Sequence, residues 1–171
     1  MPESYRSTIV WMKDDIDAAQ FTLGAMADAI GCPNITLSAW RTRHGLFAEA
    51  GDDTNRRFKL FNVIDVCVAR ALLVATRHGL AVPDAVWLAD QQLRPVFAIL
   101  LQAETPFSSL VAFDVNDEAE GDEPRLSVYF FRRNDDFGEL IAKTTGVITV
   151  IDLMVVIRFV LAALADNEDA S

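Results

Sequence analysis

Histidine and cysteine are scarce in this chain, with two of each in 171 residues. Cys32 and Cys67 stand far apart in apolar stretches, which excludes a disulfide framework and a cysteine metal cluster. Two buried, reduced thiols fit a cytoplasmic protein. His44 and His78 each precede a glycine and read as helix-end or surface residues rather than ligands or catalysts. No Ser/His/Asp or Cys/His set and no glycine-rich phosphate loop is recognisable, so an enzyme is the weakest class of function and no cofactor is expected. A clean bilayer-length apolar run is missing too. The nearest candidate, Val147 to Ala165, contains Asp152 and Arg158, each costing about 3 kcal/mol near a bilayer centre. That segment is expected to be buried or interfacial, with no membrane partner. The opening Met1-Pro2-Glu3-Ser4-Tyr5-Arg6 does not read as a signal peptide.

Positive charge is the remaining shortage. Fifteen Lys and Arg face twenty-five Asp and Glu, a net charge of −10, which at first argues against nucleic acid. The distribution is uneven, however. Residues 1–34 hold two bases and five acids, residues 35–80 seven bases and four acids, and residues 81–171 six bases and sixteen acids. One window of +3 thus sits in an otherwise acidic chain. Screening over about 8 Å at physiological salt lets such a window act on its own. What the chain has in plenty is apolar residues, 51% of the total, enough for a packed core.

The signals become regular from Phe21 onward. Thr22 is a plausible N-cap for a helix Leu23 to Ile30, with Gly31 as its stop. Cys32-Pro33-Asn34 makes a tight turn, and a second helix runs to about His44, ended by Gly45. Residues 46–61 read as a hairpin around Gly51-Asp52-Asp53-Thr54-Asn55. Asn62 can cap a third helix, Val63 to His78, with Gly79 as its stop. Pro83 and Asp84 open a fourth, expected to kink or end at Pro95. Beyond it, Ser108–Asp114, Arg125–Phe131 and Val147–Ile151 are strand-like. An acidic loop, Asn116 to Pro124, lies between the first two; its carboxylates read as a solvated tip rather than a calcium site. Asn134 or Asp135 caps a short helix, Asp136 to Lys143, and a terminal helix covers about Asp152–Ala165. The fold class expected is α+β. The expected units are an N-terminal arm at 1–20, a first domain at 21–94 and a second at 95–171, with the boundary near 95–107.

Four segments sharpen the first domain. Phe21 to Gly31 (FTLGAMADAIG) resembles the first helix of MerR-like regulators. Thr36 to Leu46 (TLSAWRTRHGL) is similar to that family's recognition helix, and Arg56 to Val66 (RRFKLFNVIDV) to its wing strand and third-helix start. Arg77 to Ala85 (RHGLAVPDA) matches the link to the fourth helix. The resemblance spans residues 21–94. It implies a winged helix-turn-helix that binds double-stranded DNA, followed by a small α/β dimerisation domain. Departures are visible: Ser38 stands where an arginine is usual, Arg41 where an acid is common, and Thr42 where a base is common. The C-terminal half lacks the family's metal-, drug- and cobalamin-sensing patterns, so no sensed ligand is implied.

On that reading Leu37, Trp40 and His44 form the inner face of the second helix. Ser38, Arg41, Thr42 and Arg43 face DNA, with Arg41 the foremost base contact through bidentate guanine recognition. Arg56, Arg57 and Lys59, in the wing, track the phosphate backbone or enter the minor groove. Arg70 and Arg77 suit surface charge at least as well as phosphate contact. Trp40, Phe58 and Phe61 are core candidates. One winged helix binds little DNA, so a homodimer through Val147 to Leu164 is expected, that segment packing on the small sheet and across a two-fold axis. The function expected is a transcriptional regulator on a roughly palindromic operator, nucleoid-associated when bound. Two alternatives stay open: a protein-interaction module or antirepressor that engages another regulatory protein, and an excisionase-like DNA-bending accessory of recombination.

Overall fold

The computed structural model describes residues 16–48, 60–102, 109–116, 125–132, 134–142, 144 and 147–168. Among these the architecture is mixed α+β. Helix α1 is Leu23–Ile30 and α2 is Asn34–His44; α3 is Val63–Arg77 and α4 is Val82–Val86. A π-helical segment, Trp87–Leu93, joins α4 to α5, Arg94–Gln102. Strand β1 (Leu110–Val115), strand β2 (Leu126–Phe131), helix α6 (Phe137–Ile141), strand β3 (Ile148–Asp152) and helix α7 (Leu153–Glu168) follow.

The helix boundaries have local causes. Thr22 Oγ1 accepts the Ala25 N–H at 3.1 Å, satisfying a free donor at the start of α1. Gly31, at φ 67°, ends it. The Gly31 N–H goes back to Asp28 O and the Cys32 N–H to Ala27 O, a Schellman closure that requires the left-handed conformation glycine adopts without strain. At α3, Asn62 Oδ1 accepts the Asp65 N–H while Asp65 Oδ2 accepts the Asn62 N–H, a reciprocal capping box. Asp136, one residue beyond the expected pair, caps α6 through the Gly138 N–H at 2.8 Å.

Pro95 does not end the fourth helical run. The π segment lies immediately before it, and the Arg94 N–H reaches back five residues to Ala89 O. A proline lacks the N–H that an α-helix would use and crowds the preceding turn. The wider π-helical turn just upstream accompanies its accommodation, so the chain stays helical to Gln102.

The sheet is antiparallel with order β2-β1-β3. Ala112 of β1 lies opposite Tyr129 and Val150, and Phe113 opposite Val128 and Thr149. One face, carrying Val111, Phe113, Leu126 and Ile151, joins the main core. That core is centred on α3, whose residues from Val63 to Ala69 are all buried. Helices α1, α4, α5 and α7 and the π segment pack around it. Phe61, Phe97, Leu72, Leu88 and Leu153 are completely enclosed, each worth about 1.5–3 kcal/mol of burial. The terminal helix rests mainly on α3, with α1 and α5 beside it, and it also contacts β1 of the sheet. Its apolar residues Leu153, Val156, Ile157, Val160 and Leu164 join the same core as the inner face of the sheet. No described helix is long and apolar enough to cross a membrane.

Candidate nucleic-acid interface

Helices α1 and α2 pack on each other across the tight Gly31-Cys32-Pro33 turn, and α2 also leans on α4. Leu37 and Trp40 are the buried anchors of α2. His44, expected beside them, is exposed. It occupies the last helical position before Gly45, at φ 72°, turns the chain away. The outward surface of α2 consists of Ile35, Ser38, Ala39, Thr42 and Arg43.

The four site residues expected on α2 fare differently. Arg43 is exposed. Ser38 is half-buried, and its carbonyl accepts the Thr42 hydroxyl at 3.0 Å. Thr42 is exposed, but its hydroxyl is turned onto its own helix. Arg41 is half-buried on the flank of α2, with its guanidinium 4.9 Å above the Phe61 ring, a cation–π arrangement. The structure thus brings Ser38, Thr42 and Arg43 onto one outward surface and draws Arg41 toward the core. The wing residues Arg56, Arg57 and Lys59, and the core candidate Phe58, lie outside the described residues. Phe61 at their C-terminal side is bridged to Phe21 and completely buried.

Beneath this surface lies a cluster that reading the sequence missed. Arg94 binds Asp65 through Nη1 at 2.8 Å and Asp90 through Nε at 2.7 Å. The other oxygen of Asp90 accepts the Phe47 N–H at 2.9 Å. Phe47, in the turn after α2, adopts φ 64°, an uncommon conformation for a bulky residue. Its ring stands 5.3 Å from Phe61 and 5.3 Å from the Arg94 guanidinium. Burial opposes the charge on Arg94, yet the charges and hydrogen bonds of Asp65 and Asp90 outweigh it and raise its pKa. Among the described residues, Arg94 Nη2 is a buried nitrogen with no hydrogen-bond partner. The i, i+4 spacing of Asp90 and Arg94 was a legible signal; the distant partner Asp65 was not.

Arg70 and Arg77 also have structural work. Arg70 Nη1 donates to Ile30 O at 2.8 Å and Arg77 Nη2 to Gly31 O at 3.2 Å. Both place positive charge at the C-terminal carbonyls of α1, where the helix dipole favours it. Arg70 further lies 3.7 Å over the Phe159 ring, and burial, then the charge of Arg77, lowers its pKa. Cys32 and Cys67 are free and buried. Burial raises both thiols, Cys67 strongly, despite the opposing Arg77 charge and a Leu37 backbone hydrogen bond at Cys32. Among the described residues, no three His, Cys, Asp or Glu side chains gather as metal ligands. No protein-family model matches the chain, and no curated protein is significantly similar to it.

Proposed function

We propose that the chain is a sequence-specific DNA-binding transcriptional regulator that acts as a homodimer on a roughly palindromic operator, with a MerR-like winged helix-turn-helix as its reading head. The observation that carries this reading is the α1–α2 pair. Two short helices meet across a three-residue turn, the second anchored by Leu37 and Trp40 and turning Ser38, Thr42 and Arg43 outward. A helix held this way can enter a major groove and offer side chains to base edges. The positive window at residues 35–80 supports the same assignment. Arg41, held over Phe61, suits the role of supporting the helix against the base of the wing better than that of foremost base reader. The test is binding of the purified protein to fragments of its own genome across salt concentrations.

A second reading has its own observation. The outward surface of α2 is poor in free donors: Thr42 uses its hydroxyl internally, and Ile35 is 80% exposed at the helix start. A protein partner would suit such a surface. This antirepressor-type reading predicts no DNA binding even at low salt.

A further inference from the structure

The outer side of α7 carries a pattern that its burial inside the chain does not explain. Val155 and Phe159 remain 56% and 41% exposed, although the opposite side of the helix is enclosed. Beside them runs the row Arg158, Ala162 and Asp166, four residues apart, with exposed charges of opposite sign flanking a half-buried alanine. Such a row is complementary to itself when reversed. Rows of side chains four apart align when two helices cross at about −50°, the commonest packing class. In an antiparallel pair with its two-fold axis at Ala162, each residue meets the one equally far beyond the axis. Arg158 then faces Asp166 of the second copy, and Asp166 faces Arg158. The small alanine at the axis permits close approach, and Val155 and Phe159 extend the apolar contact alongside.

We infer that α7 is the self-association surface, pairing antiparallel with α7 of a second copy about Ala162. The inference rests on the dimeric part of the proposed function and specifies where and in what register the two copies meet. A two-fold interface must be isologous, the same patch on both subunits, and this row meets that condition in both sign and spacing. Arg158 has a further interaction within its own chain, and a guanidinium carries five N–H donors. Phe159 is already braced by Arg70 from α3, which presents its ring as a fixed surface.

The test is sedimentation equilibrium on the full chain, comparing wild type, Arg158→Asp, Asp166→Arg and the double exchange. Each single reversal turns both symmetric attractions into repulsions and is expected to weaken the dimer about tenfold or more. The double exchange restores both pairs and should return the dissociation constant to near the wild-type value. Circular dichroism melts confirm that each variant is folded. A wild-type monomer overturns the inference together with the dimeric reading. A wild-type dimer unmoved by either single reversal, or not restored by the double exchange, overturns this surface alone and leaves a dimer built elsewhere.

Discussion

Arg94 reaches across twenty-nine positions of chain to Asp65, its Nη1 lying 2.8 Å from Asp65 Oδ1. That bond ties the start of α3 to the start of α5. Through Asp90 the same guanidinium is tied to the turn after α2. Three segments that frame the candidate interface therefore converge on one partly enclosed cation.

Removing that cation should be costly. Arg94→Met leaves two carboxylates, each less than a tenth exposed, without their counter-charge. A loss of about 3 kcal/mol is expected, read as a lower urea midpoint with an unchanged slope. Asp65→Asn and Asp90→Asn added to Arg94→Met should recover part of the loss, because no unpaired charge then remains buried. An Arg94→Met variant as stable as wild type would show that the cluster is not holding the turn.

The helix ends were legible in the sequence because they depend on neighbours. Thr22, Gly31, Asn62 and Gly79 each act on backbone groups within a few residues. The cluster at Arg94 depends on a contact between distant segments, for which the sequence offers no local signal. At Pro95, of the two outcomes expected, a kink or an end, the helix does not end: the turn before the proline is π-helical, and the chain continues as α-helix from Arg94. Among the expected site residues, periodicity correctly separated Leu37 and Trp40 from Thr42 and Arg43. It could not reveal that Phe61 would draw Arg41 inward, since Phe61 arrives from the far end of the expected hairpin. Arg70 and Arg77 read as surface charge or phosphate contacts, but their partners, the carbonyls of Ile30 and Gly31, come from the end of α1.

Arg70→Ala should destabilise without touching recognition. It loses a hydrogen bond to Ile30 O and the stacking on Phe159, together about 1–2 kcal/mol. The slope of DNA affinity against salt should stay at its wild-type value. A slope reduced by about one would instead assign Arg70 to a phosphate.

The thiols should set an alkaline limit to stability. Both cysteines are raised above the ordinary thiol value of 9.0 by burial, so the folded chain keeps protons that the unfolded chain releases as pH passes that value. Stability from this source is fully present below pH 9 and falls as pH rises above it. Chemical denaturation from pH 7 to 10.5 should show the decline, and Cys67→Ala and Cys32→Ala together should flatten it. Ellman's reagent at pH 8 should modify Cys67 only on unfolding. Rapid modification of Cys67 in the folded protein would contradict its enclosure.

The central claim is that α2 reads DNA, and fluorescence anisotropy of the purified protein against fragments of its own genome, repeated across salt concentrations, tests it most directly. The account predicts tight binding to a few fragments and a steep loss of affinity with salt. It also predicts weakening of about tenfold by Arg43→Ala, in a variant whose melt is unchanged. Absence of binding at low salt from a confirmed dimer would contradict it and turn the search toward a protein partner for the exposed surface around Ile35.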